Sequence, residues 1–225
     1  MKRSEINAKI RDAEAFFAEY RFALPPWASW QPEDWAMHRA GTAEVIDTML
    51  GWDLTDFGRG AYDQFGLLLF TVRNGRFDRP QEKPYAEKLM IVGDRQETPW
   101  HFHWHKTEDI INRGGGTLVI EVQLADRSTE QPIEDAFTVS VDGLMRHVIA
   151  GQRIELAPGE SITLVPWVYH RFWAEEGRCL VGEVSSVNDD NNDNRFLEAI
   201  GRFPTVEEDE APYRYLVSDY AHVFR

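Results

Sequence analysis

This 225-residue sequence predicts a mainly β protein: an antiparallel barrel or sandwich preceded by helices and followed by a wrapping tail. Three observations carry that expectation. From about Gly66 onward, short stretches rich in β-branched and aromatic residues follow one another closely, the texture of strands. Turn residues separate them, as at Asn74-Gly75, Asp142-Gly143 and Pro158-Gly159. No helical pattern is interleaved with these stretches, so alternating βα units are excluded.

Taken in order, residues 4–20 read as an amphipathic helix. Ile6, Ile10, Ala13, Phe17 and Tyr20 recur near the helical period, and Ser4 is placed to cap it. Leu24-Pro25-Pro26 should stop it, because proline disfavours helix in the residue before it. Pro32-Glu33-Asp34-Trp35 opens a second helix, with proline in the first turn and acids at the positive end of the dipole. Strands are expected over 66–73, 85–92, 100–105, 117–124, 137–141, 144–149, 161–165, 170–174 and 179–185. Asn112-Arg113-Gly114-Gly115-Gly116 reads as a loop or tight turn, and Asn74-Gly75 as a hairpin. The expected organisation is one domain: a helical extension (1–60), a barrel (61–186) and a C-terminal segment (187–225).

Composition narrows the function. With 43% hydrophobic residues the chain has material for a core, so it is not of the disordered class. A formal net charge of −14 argues against nucleic acid as a partner, since phosphate backbones reward basic patches. No apolar run approaches the ~20 residues that span a bilayer, so no membrane partner is expected. The single cysteine, Cys179, excludes an internal disulfide and fits a cytoplasmic location.

The informative segment is Trp100-His101-Phe102-His103-Trp104-His105, with Glu108 behind it. On an extended strand side chains alternate, so His101, His103 and His105 share a face. Crowded imidazoles pack poorly and ligate metal well. Pro166-Trp167-Val168-Tyr169-His170 supplies a further histidine downstream. Imidazole nitrogens with one carboxylate suit Mn²⁺, Fe²⁺, Co²⁺, Ni²⁺ or Zn²⁺. By alternation alone, His101 with His103 and His103 with His105 are equally good pairs.

His101-x-His103-x4-Glu108 and Pro166-x3-His170 resemble the two motifs of the cupin superfamily, whose small jelly-roll barrels bring such side chains together. That resemblance favours His101 and His103 as ligands and leaves His105 as their neighbour. Nearly the whole chain is moreover similar to the bacterial D-lyxose isomerase family. The likeness runs through the opening Met1-Lys2-Arg3-Ser4, Leu24-Pro25-Pro26, Leu50-Gly51-Trp52-Asp53, Tyr85-Ala86-Glu87-Lys88, the Glu108–Gly116 block and Gly182-Glu183-Val184-Ser185-Ser186-Val187-Asn188-Asp189-Asp190. It implies a manganese-dependent aldose–ketose isomerase of small unphosphorylated sugars, D-lyxose and D-xylulose foremost, with D-mannose and D-fructose as further substrates. His101, His103, Glu108 and His170 match the family's metal ligands, and a homodimer is expected. An iron cupin dioxygenase, or a cupin that holds a sugar without converting it, are the rival classes for the same ligand set.

Other polar residues are candidates by position. Lys88 shares a strand face with Met90 and Val92, and Glu183 sits inside Val181-Gly182-Glu183-Val184. A charge on an apolar strand needs a reason, so both are expected to be catalytic, with Lys88 also touching the sugar. Glu208, in the acidic run Glu207–Glu210, is a further candidate base if it folds over the barrel mouth. Trp104, His105, Asp189 and Asp190 are candidate sugar contacts, the last two from the polar run 188–194.

Overall fold

Odd and even positions of the central strands pack into two different cores, and that division places the functional side chains. The computed structural model describes residues 1–224. In chain order these form α1 (Arg3–Glu19), α2 (Pro32–His38), α3 (Ala43–Asp47), β1 (Gly51–Thr55), β2 (Leu67–Arg73), β3 (Tyr85–Val92), β4 (Thr98–Phe102), β5 (Glu108–Ala125), β6 (Pro132–Ile133), β7 (Phe137–Val141), β8 (Leu144–Val148), β9 (Gln152–Leu156), β10 (Ser161–Leu164), β11 (Val168–Ser186), β12 (Arg195–Phe196) and α4 (Tyr220–Val223). All strand pairings are antiparallel, along the order β1-β2-β3-β11-β5-β10-β7-β8. β4 joins β11 and β12, and β9 joins β5.

The two long strands build the barrel. The second half of β11 lies between β3 and the start of β5; its first half lies beside β4 and the end of β5. Each strand therefore passes from one side of the barrel to the other. The bend in β5 occurs where the sequence suggested a loop. Gly114 and Gly115 have φ of 152° and 102°, and the register with β11 shifts beside them. Three glycines thus mark a bulge inside one continuous strand, because only glycine accepts that backbone without strain. On β11 the matching irregularity at Glu176-Gly177 joins the two separate strands expected over 170–174 and 179–185.

On β2 and β3, Leu67, Leu69, Met90 and Val92 face the barrel interior together with Ile110, Ile120 and Phe172. Leu68, Phe70, Leu89 and Ile91 face the other way, against Ile6, Ile10, Ala13 and Phe17 of α1. The helical stripe read from sequence is therefore the one that docks. Its ends differ from expectation. Ser4 lies inside the first turn and bonds Asp209, while Lys2 is the residue at the cap. The helix stops before the prolines: Arg21 turns left-handed (φ 55°), and the N–H groups of Arg21 and Phe22 return to the carbonyls of Ala18 and Phe17. This paired closure satisfies the last carbonyls without proline.

The segment expected to be helical over 1–60 also contributes β1. Trp52 and Leu54 complete the core under α1, whereas Asp53 and Thr55 face the opposite way. Asn74-Gly75 does not close a two-residue hairpin. Asn74 instead braces a longer connection, donating to the carbonyls of Thr48 and Asn188 and accepting the Asn188 N–H. The C-terminal tail does wrap the barrel: Arg3 of α1 holds both Glu208 and Asp219, and Trp52 bridges to Leu216.

Candidate metal centre and catalytic cavity

β4 and β11 pair with His101 directly opposite His170, so one register places two imidazoles side by side, ring centroids 4.1 Å apart. His103 follows two residues on, with its ring 5.4 Å from His101 and 5.8 Å from His170. Ligating atoms of the three histidines lie within 4.8 Å of one another. Glu108, the first residue of β5, brings Oε1 to 3.4 Å from His103 Nε2 and 3.1 Å from His170 Nε2.

Hydrogen bonding fixes which nitrogen of each ring is available. The Nδ1 atoms of His101 and His170 sit 2.8 and 3.0 Å from the carbonyls of Pro99 and Val168, and that of His103 bonds the carbonyl of Asp193. A carbonyl only accepts, so each Nδ1 carries a proton, and in the neutral ring the Nε2 lone pair is the one left for a ligand. Burial, reinforced by the neighbouring His170 and His103, pushes His101 well below the usual imidazole range and keeps it neutral. Glu108 titrates well below the carboxylate range: burial opposes its ionisation, but the Lys106 ammonium and His103 outweigh it.

His103 Nε2, His170 Nε2 and Glu108 Oε1 are buried and make no hydrogen bond. Orphaned buried polar atoms are costly, and here three of them converge on one point. Nitrogen and carboxylate donors with their lone pairs turned inward fit a divalent transition-metal ion.

The cluster closes one end of a cavity lined by residues of β2, β3, β5, β11 and the C-terminal segment. Its lining mixes apolar side chains, among them Leu67, Leu69, Met90, Ile110, Phe172 and Phe196, with the polar Lys88, Lys106, Glu183, Asp190, Asn194 and Arg202. Lys88 and Glu183 are opposite one another in the β3–β11 register, 3.3 Å apart and 3% and 4% exposed, so both charges read as needing a reason do point into the cavity. Lys106 Nζ lies 2.7 Å from Glu108 Oε2 and 3.1 Å from Glu183 Oε1, tying the histidine cluster to that pair. Asp190 also lines the cavity and meets Arg202 at 3.1 Å.

The sequence model of the D-lyxose isomerase family matches residues 1–220. The chain belongs to the D-lyxose isomerase family. Two relatives, the D-lyxose/D-mannose isomerases of Escherichia coli O157:H7 and Serratia proteamaculans, are each 49% identical to it over 224 residues, 98% of this chain and 98% of theirs. In fold it is similar to the L-ribose isomerase of Geodermatophilus obscurus, with a TM-score of 0.60 at 15% identity over 92% of this chain and 98% of that one. The mainly β, cupin-type barrel expected from the sequence is the fold found.

Four other candidates lie elsewhere in this D-lyxose isomerase family member. His105 is exposed and packs edge-on against Phe77, because β4 ends at Phe102 and the following bend breaks the alternation that placed it beside His103. Trp104 lies outside the cavity lining, edge-on to Phe102, and donates its indole N–H to Glu130. Asp189 caps its own turn through the N–H groups of Asn191 and Asn192 and borders an outer cleft. Glu208 does not fold over the cavity; Arg3 holds it at the start of α1, with the glutamate side chain 57% exposed.

Lys106 and Arg202 escaped the sequence reading, and Asn194 was read only as part of the polar run 188–194. Lys106 follows the bend at Trp104-His105, where strand alternation gives no guide. Arg202 and Asn194 come from irregular backbone, where no period marks an inward side chain.

Proposed function

We propose that this chain is a divalent-cation-dependent aldose–ketose isomerase that interconverts D-lyxose and D-xylulose, and also D-mannose and D-fructose. The observation that carries the reading is the convergence of three inward-turned Nε2 lone pairs and an unpartnered Glu108 oxygen at the end of a buried cavity. The names of the two relatives support the choice of sugars. His101, His103, Glu108 and His170 would hold the ion, and Mn²⁺ is the one proposed; Co²⁺, Ni²⁺, Fe²⁺ and Zn²⁺ suit the same donors. Bound there, the ion supplies Lewis acidity for the oxygens on C1 and C2.

The remaining work falls to the chain. Isomerisation moves a hydrogen from C2 to C1 and a proton between their oxygens. Glu183, flanked by Lys88 and Lys106, would take the C2 proton and return it to C1 on the same face. Lys88 would give and recover the proton on oxygen. Asp190 offers acceptor oxygens to sugar hydroxyls, and the apolar side chains keep water from the exchange. Among the described residues no glycine lines the cavity, so no glycine-rich phosphate cradle is formed there, which favours unphosphorylated sugars. The proposal extends to a cytoplasmic homodimer.

Isomerisation in heavy water tests the route. Deuterium at C1 of the ketose is the expected result; full retention of the substrate hydrogen would replace the proton route by a hydride shift.

A further inference from the structure

One side chain outside the ligand set organises it. Four consecutive residues, His103 to Lys106, direct hydrogen bonds at Asp193. The N–H groups of Trp104 and His105 donate to its Oδ1 at 2.8 and 2.9 Å, and that of Lys106 donates to its Oδ2 at 2.9 Å. The Nδ1–H of His103 donates to its main-chain carbonyl. Asp193 is 3% exposed, and it lies in the segment that joins β11 to β12.

The geometry points to Asp193 as the positioning residue of the metal centre. The inference rests on the metal-dependent reading above. Three N–H groups gathered on one carboxylate wrap the backbone around it. That bend is what departs from strand alternation: it turns His105 outward and brings Lys106 in, beside Glu108 and Glu183. The carboxylate also anchors its own residue, so the Asp193 carbonyl stays where it selects the Nδ1–H tautomer of His103. Through these contacts Asp193 sets both the direction of a ligand lone pair and the place of the lysine between the two glutamates. A charged acceptor suits the task, because N–H bonds to a carboxylate are stronger than those to a neutral oxygen.

The test is Mn²⁺ affinity, measured by titration of the metal-stripped full chain, with the melting temperature of the same metal-free samples alongside. Asp193→Ala is expected to weaken Mn²⁺ binding by about 10- to 100-fold, the usual effect of removing a partner behind a metal ligand. Asp193→Asn keeps one acceptor oxygen and should fall between the parent and the alanine variant, which keeps the test open if Asp193→Ala does not fold. Asp142→Ala is the control: Asp142 also gathers a backbone N–H and a hydroxyl, from Ser161, but neither residue lines the cavity. It should leave Mn²⁺ affinity unchanged. Parent-like Mn²⁺ affinity in the folded Asp193 variants would overturn the inference and leave the metal centre standing. A parent chain that bound no divalent ion would overturn both. Equal weakening by Asp142→Ala would assign the effect to general loosening and overturn the positioning role.

Discussion

Each histidine of the cluster has one nitrogen tied to a carbonyl and the other left free, which separates a metal ligand from an imidazole that merely packs. His170→Ala is expected to abolish stoichiometric Mn²⁺ binding, whereas His105→Ala should retain it, since that ring is exposed and outside the cavity; elemental analysis of dialysed protein reads both. Lys88→Met and Glu183→Gln should keep the metal and lower kcat by about 10²- to 10⁴-fold, the range of a lost general acid or base. Parent-like turnover in both would move the proton chemistry elsewhere. The clustering of His101, His103, Glu108 and His170 was legible in sequence because tight spacing survives local irregularity. His105 was misplaced, and Lys106 was missed, because both follow the bend that Asp193 creates from a distant part of the chain.

At the scale of elements, the paired bends of β5 and β11 bring His170 opposite His101 in one half of the barrel and Glu183 opposite Lys88 in the other. Strand texture was readable for β2, β3, β4, β7, β8 and β10 from their β-branched and aromatic residues, whereas β6 and β9 were not anticipated. Nor was the continuity of β5: glycine is as fit for a loop as for a bulge, and only the partner strand decides. At Gly115, φ is 102° and an added Cβ would lie 2.1 Å from the Arg178 carbonyl oxygen. Gly115→Ala should therefore destabilise the chain by about 1–3 kcal/mol or more, the cost of a strained backbone conformation. Thermal unfolding would show it, and an unchanged melting temperature would mean the bulge tolerates a side chain.

Across the whole molecule, charges distant in sequence meet at the cavity. Asp190 joins Arg202 of the tail, and Arg202 also meets Asp53 of β1 at 2.6 Å. Burial works against the charge on Asp190, but Lys88, Arg202 and Lys106 hold its carboxyl below the usual range. A carboxyl lowered on folding adds stability that is fully present above its unfolded pKa, about 3.9. That stability is lost as pH falls through the folded value. Asp190→Asn should thus be less stable than the parent at neutral pH, with the gap closing as pH drops below about 4. Unfolding midpoints measured across that range check this; a constant gap would contradict it. Such long-range pairs leave no mark in local pattern, so Arg202 and the fate of Glu208 could come only from the fold.

The most direct measurement strips the chain of metal, supplies D-lyxose, and follows D-xylulose before and after Mn²⁺ is added. No ketose is expected without the ion, and steady conversion once it is bound at the four-residue centre. Stoichiometric Mn²⁺ with neither D-lyxose nor D-mannose converted would contradict the metal-dependent isomerase reading.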